Sequence, residues 1–105
     1  MPCQRRMHER TFGARAAKEL RRELKEQGVR AAVDAEPVYG TRNWRLIMRA
    51  SRFRTMRQPE RDAFAWSVVR RALGATDAKR VESVVTLTPA ESAPWRGPLA
   101  ISIPA

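Results

Sequence analysis

Trp44-Arg45-Leu46-Ile47-Met48-Arg49-Ala50-Ser51, then Pro59-Glu60-Arg61-Asp62-Ala63-Phe64-Ala65-Trp66-Ser67-Val68-Val69-Arg70-Arg71-Ala72-Leu73, is the stretch whose two periods decide the fold. In the first segment Trp44, Leu46, Met48 and Ala50 alternate with Arg45, Ile47, Arg49 and Ser51, the period of a strand with one buried face. In the second, Phe64, Val68 and Ala72 join Ala65, Val69 and Leu73 in a stripe of period 3.6, which predicts a helix over 59–73. Pro59 suits the first helical position, where its missing N–H would be unpaired anyway, and Gly74 ends the helix. A strand therefore passes through a turn containing Thr55 and Gln58 straight into a long helix. Trp66 lies off the centre of the stripe and is expected half-buried at the sheet edge, with Arg70 one turn later in reach of a cation–π contact.

Upstream, Ala16 or Ala17, Leu20 and Leu24 share one face of a helix over Ala14–Gln27, and Gly28 supplies its stop. Arg22 and Glu26 pair at i,i+4 on its wet face. A first strand is expected over Val29–Val33, followed by a loop over 34–43 carrying Pro37, Gly40 and Asn43. Downstream, Thr76 and Asp77 can cap a short helix, and Val81–Thr88 alternates as a last strand closed by Pro89. The expected class is α+β, in the order αββααβ, with a three-stranded sheet and the helices packed on one face. Residues 1–13 read as a loose basic arm, 14–91 as the domain and 92–105 as a Pro-rich tail. In that tail Leu99, Ile101 and Ile103 alternate in a way that suits an added edge strand or a chain lying across the domain.

A chain of 105 residues with 43% hydrophobic and 30% charged residues is one folding unit with a modest core. No run approaches the roughly 20 apolar residues of a membrane span, and the polar, basic N-terminus has no apolar segment behind it, so a cytoplasmic protein without membrane contact is expected. Cys3 and His8 are the only soft ligands and sit in the arm, so neither an internal disulfide nor a metal site is expected. His8 is the single histidine, which removes Ser–His and Cys–His nucleophiles from the domain, and no Gly-rich phosphate loop occurs. Glu60 and Asp62 at a helix start are explained by the helix dipole alone. A protein that is not an enzyme, with no cofactor of its own, is the expectation.

The formal net charge is +10, and of 21 basic residues only Lys18, Lys25 and Lys79 are lysines. Arginine's planar fork donates two parallel hydrogen bonds to a phosphate, so this bias suits nucleic acid; a coding bias toward arginine is the bland alternative. Between 42 and 71, nine arginines face only Glu60 and Asp62. Arg42, Arg45, Arg49, Arg52, Arg54, Arg57 and Arg61 are the candidate nucleic-acid surface. Alternate side chains on a strand stand about 6–7 Å apart, which lets Arg45 and Arg49 follow a phosphate backbone. Few base-reading groups accompany them, so DNA and RNA are not distinguished and sequence discrimination is expected to be small.

Two motifs in this order resemble the BolA family. Phe53 is followed eight residues later by Arg61, within Glu60-Arg61-Asp62-Ala63-Phe64-Ala65-Trp66-Ser67-Val68-Val69, and the last strand ends in Thr86-Leu87-Thr88-Pro89-Ala90-Glu91. The resemblance covers roughly residues 14–91. It implies a fold similar to the type II KH arrangement, a partnership with a monothiol glutaredoxin or another iron–sulfur trafficking protein, and partner contacts at Arg61, Asp62 and Trp66. A helix pair considered helix-turn-helix-like implies DNA reading as well. The pattern departs where function lies. Asp62 stands where the family places a histidine, residues 34–43 contain no Cys or His, and Thr55 replaces a glycine, which puts the sharing of a [2Fe–2S] cluster implied by the resemblance in question. The Gly-x-x-Gly nucleotide clamp of KH domains is also missing, because the helix connection reads Leu73-Gly74-Ala75-Thr76.

Overall fold

The computed structural model describes residues 2–92 of the chain, and side chains over 12–91. Helix α1 (Pro2–Glu26) leads to strands β1 (Ala32–Pro37) and β2 (Trp44–Arg49), a 3-10 turn (Ser51–Thr55), helix α2 (Gln58–Ala78), strand β3 (Val81–Leu87) and a single helical turn α3 (Pro89–Ser92). The sheet has the order β1-β2-β3, with β1 antiparallel and β3 parallel to β2. Helix α2 makes the crossover that a parallel neighbour requires. It breaks at Gly74 (φ 81°), so its last residues form the short second helix expected after that glycine. The protein is α+β, with a three-stranded mixed sheet and its helices packed against it. No helix among the described residues is long and apolar enough to cross a membrane.

The core lies between α1, α2 and the sheet. Leu20 and Leu24 from α1, Leu46 and Met48 from β2, and Val68 and Val69 from α2 are all fully buried. Phe53, in the 3-10 turn, has no exposed surface and meets Phe64 of α2 edge-on at 6.2 Å. Truncating such a ring costs about 3–5 kcal/mol. That anchorage fixes the turn, and with it the exposed arginines at 52 and 54 on either side of Phe53.

Three expectations are corrected. Helix α1 does not start at Ala14: its backbone is helical from Pro2. Phe12 is buried against Trp44, with ring centroids 6.3 Å apart, and extends the apolar stripe by a turn. Gly13 permits that approach, since a Cβ there would stand 2.3 Å from the Trp44 ring. The first strand is Ala32–Pro37 rather than Val29–Val33. Val29 is used to close α1: Gly28 (φ 75°) takes the left-handed conformation, its N–H bonds to the Lys25 carbonyl, and the Val29 N–H bonds to that of Leu24. In this stop Val29 packs back on the helix and cannot enter the ladder. The first four residues of the expected loop, Asp34–Pro37, are strand instead, leaving Val38–Asn43 as the connection, and Pro37 is tolerated because β1 is an edge strand.

The third correction concerns the sheet face turned away from the helices. Ile47, grouped by alternation with Arg45 and Arg49, is buried. Its cross-strand neighbours are Asp34 and Val85, and the two arginines flank it along β2. An irregularity in the β2–β3 register sets Trp44 opposite Val81 but Arg45 opposite Ser83, leaving Glu82 as the extra residue. Such a bulge switches side-chain parity, so Val81 lies in the core and Val84 packs against it, although simple alternation would put them on opposite faces. The alternating tail residues Leu99, Ile101 and Ile103 lie outside the described residues.

Candidate nucleic-acid interface

The seven candidate arginines fall into two groups according to what their guanidinium groups touch. Arg45 is half-buried; its Nη1 donates to Glu36 Oε1 at 2.9 Å and its Nε to Ser83 Oγ at 3.4 Å. The Arg49 side chain is only 26% exposed and pairs with Asp34. Register explains both contacts: Glu36 lies directly opposite Arg45, and Asp34 lies diagonally from Arg49, beside Ile47. The open face does present both arginines, but each brings a carboxylate from β1, and the pairs carry no net charge.

Arg61 is bound more tightly still. Its side chain is 11% exposed, with Nε donating to the Met56 carbonyl at 3.1 Å and Nη1 to Glu91 Oε1 at 2.9 Å, while the guanidinium lies 5.9 Å from the Phe53 ring centre. Asp62 is exposed and accepts from Gln58 Nε2 at 2.8 Å, and the same amide reaches Thr86 Oγ1 at 3.2 Å. The segment following Phe53 and the segment Thr86–Glu91 thus meet through Arg61–Glu91 and Gln58–Thr86. Thr88 and Glu91 form a reciprocal capping box around Pro89: the Thr88 N–H donates to Glu91 Oε1 at 2.8 Å and the Glu91 N–H to Thr88 Oγ1 at 3.1 Å. The Thr88 backbone donor, seconded by Arg61, holds the Glu91 carboxyl below the usual glutamate range. Trp66 is half-buried against the core, as expected. The arginine–aromatic contacts of the described residues fall on Phe12, Phe53 and Phe64, and the alternative considered for Trp66, a contact with Arg70, is not among them.

The other group comprises Arg52, Arg54 and Arg57, with Arg42 apart from them in the β1–β2 connection. All four are exposed, and none has a carboxylate partner among the described residues. Arg52 rests its guanidinium 5.6 Å from the Phe64 ring centre, a contact that orients it without neutralising it. Arg57 precedes α2, and its N–H, not its side chain, is engaged, donating to Glu60 Oε1 at 3.2 Å. Arg42 lends its carbonyl to Arg80, from Nη2 at 3.0 Å and Nε at 3.3 Å.

Cations that the expected surface omitted lie beside this group. Arg30, in the α1–β1 connection, lines the same depression as Arg49 and Arg52. The missed partners Asp34 and Glu36 had a signal: two acids at i,i+2 preceding two arginines at i,i+4 match once the segments form an antiparallel hairpin. No three His, Cys, Asp or Glu side chains gather to hold a metal among the described residues. At the position of Asp62 a hard carboxylate, already bonded to Gln58, does not fit the ligand chemistry of an iron–sulfur cluster. No family model, curated protein or solved structure matches the chain.

Proposed function

We propose that this protein is a small non-catalytic module that binds nucleic acid by its phosphates, through arginines of the 3-10 turn and the start of α2 rather than of the sheet face. One observation carries the reading: Arg52, Arg54 and Arg57 lie within six residues, exposed and without an acidic partner among the described residues, on a turn anchored by buried Phe53. Free guanidinium groups on an ordered turn break no ion pair when a phosphate docks, and they release its counterions as it does. Contacts to phosphates position a ligand without reading its bases, so weak sequence preference follows. The test is a mobility shift with generic DNA and RNA at 50 and 200 mM salt. Binding that weakens steeply with salt and is indifferent to sequence supports the reading, and absence of binding at 50 mM removes it.

A second reading rests on a different observation. The two segments that resemble the BolA family, Phe53–Val69 and Thr86–Glu91, are joined through Arg61–Glu91 and Gln58–Thr86. Arg61 in that pairing ties α2 to α3, so a structural tie accounts for the spacing of the two motifs. This supports a BolA-like, type II KH-like architecture and, with it, an adaptor for a monothiol glutaredoxin that contributes no cluster ligand of its own, with Asp62 and Trp66 as contacts. Co-expression with such a glutaredoxin tests it: a stable complex without the colour of a shared cluster is expected, and failure to co-purify counts against the adaptor.

A further inference from the structure

Two grooves run side by side along the connection between α1 and β1. The larger, of about 650 Å³, has buried Val29 and Ala50 in its lining, with exposed Pro89 and the cations Arg30, Arg49 and Arg52 beside them. The smaller, of about 430 Å³, shares Gly28–Ala31 with the first and adds Arg21 and Lys25 from the last turns of α1. Neither lining contains an aspartate or glutamate. Apart from Ser51 the linings consist of cationic and apolar residues and glycine, and of their cations only Arg49 is paired with a carboxylate among the described residues. Arg52 belongs to the first groove and also to the unpaired trio of the 3-10 turn and the start of α2, so the two basic regions are continuous. Arg21 is held in place, its Nη1 donating to the Val33 carbonyl at 2.9 Å, and Arg49 is engaged by Asp34. That leaves Lys25 and Arg30, exposed and without an acidic partner among the described residues, to engage a ligand beyond Arg52.

We infer that the nucleic acid taken by this protein is single-stranded, and that its backbone leaves the 3-10 turn at Arg52 and continues into these grooves, where Arg30 and Lys25 meet successive phosphates. The inference rests on the phosphate-binding reading above and deepens it. A duplex offers a concave surface only its outer phosphate ridge, and the apolar part of the lining is then left empty. A single strand can set its phosphates on the cations and turn base or sugar faces onto Val29, Ala50 and Pro89. The grooves hold no aromatic platform, so stacking adds little, and binding is governed by charge with little preference among bases.

Fluorescence anisotropy with labelled (dT)12 and with a 12-base-pair duplex, at 50 and 200 mM NaCl, tests this. The parent is expected to bind the single strand at least about threefold more tightly at 50 mM. The Lys25→Ala/Arg30→Ala double variant is expected to lose that margin, with a log–log salt slope shallower by about 1.4 for two lost phosphate contacts on a single strand. Both side chains are exposed, so an unchanged thermal melt is expected for the variant. On the parent itself, amide NMR signals of residues 28–32 should shift when (dT)12 is added, which does not depend on any variant folding. If no nucleic acid binds, the phosphate-binding reading fails and takes this inference with it. If nucleic acid binds but the double variant matches the parent, if only signals of residues 51–57 move, or if the duplex binds as tightly as the strand, the groove is not the site and the reading of the 3-10 turn stands.

Discussion

Arg45 and Arg49 on the open sheet face and Arg52, Arg54 and Arg57 just after it are five arginines within thirteen residues, yet they stand in opposite electrostatic situations. The first two are covered by Glu36 and Asp34, which antiparallel pairing brings across from β1. The other three lie where no strand runs alongside, on a turn and a helix start, and no acid reaches them among the described residues. Charge counted along a chain measures neither field nor availability. A strand acquires the charges of its neighbour, whereas an exposed turn keeps its own. The +7 balance between 42 and 71 therefore overstates the field at the sheet and understates the contrast at the turn.

The sharpest way to break this contrast is to remove each group separately. Arg52→Ala/Arg54→Ala/Arg57→Ala is expected to flatten the salt dependence of nucleic-acid binding by about 2 to 3 in log–log slope, at 0.7–0.9 per phosphate contact. Arg45→Ala/Arg49→Ala should leave the slope within about 0.5 of the parent, because those groups are already neutralised. Anisotropy titrations across 50–200 mM salt read both. Equal effects from the two sets would abolish the distinction between covered and free arginines.

Arg61 is the limiting case of a covered arginine, and the expected effect moves from binding to stability. Arg61→Ala removes a donor to the Met56 carbonyl and the guanidinium that lies over the Phe53 ring. The expected cost is about 1–3 kcal/mol in urea unfolding, with nucleic-acid affinity unchanged for the folded variant. Arg54→Ala, on the exposed side of the same turn, should do the reverse: a stability change within about 0.5 kcal/mol and weaker binding. A stability-neutral Arg61→Ala would mean that the tie between α2 and α3 does not hold the two segments together.

The comparison can also be inverted by converting the sheet face into the other type of surface. Asp34→Asn/Glu36→Gln keeps the shapes and removes the carboxylates, freeing Arg45 and Arg49 for phosphate. Binding should tighten, with a slope steeper by at most about 1.4–1.8. Loss of two partly exposed ion pairs should cost no more than about 1 kcal/mol each. Unchanged binding would show that Arg45 and Arg49 are held from ligands by something other than charge pairing.

How much of this could be read from the residues depends on the range of the interaction involved. The periods over Trp44–Ser51 and Pro59–Leu73, and the stops at Gly28 and Gly74, are local, and the helices, the last two strands and their order follow from them. The start of β1 was not legible, because Val29 looks like a strand residue until the helix stop is seen to use it. The helical backbone upstream of Gly13 was hidden because a glycine in a basic stretch reads as a break, whereas here it is the point where α1 meets Trp44. The arginine site was legible as a composition but not as a surface: ion pairs such as Arg45–Glu36 and Arg61–Glu91 join residues 9 and 30 positions apart. Arg30 and Lys25 gave no signal of their own, since only folding sets them beside Arg52.

The smallest expected effect concerns the acid that completes the covered state of Arg61. Glu91 accepts from the Thr88 N–H and from Arg61, and both favour its ionised form, so its folded-state pKa lies below that of the unfolded chain. Between those two values the unfolded chain binds a proton that the folded one does not, so stability falls as pH drops through that window. The contribution is therefore fully present above the ordinary glutamate value, about 4.3, and is lost progressively as pH falls from there through the lowered folded value. Glu91→Gln should abolish that component of the acid dependence while leaving stability at neutral pH slightly reduced, because an amide oxygen still accepts from Thr88 but no longer pairs as a charge with Arg61. NMR titration of the side-chain carboxyl carbons reads the midpoint directly: Glu91 should titrate below the ordinary glutamate value, and Arg61→Gln should move it part of the way back. The shift is expected to persist in part in that variant, since the first cause is the Thr88 backbone donor. A Glu91 midpoint that returns fully to the ordinary value when only Arg61 is changed would mean that the capping box around Pro89 depends on Arg61. The end of β3 would then be held by the arginine rather than by its own turn.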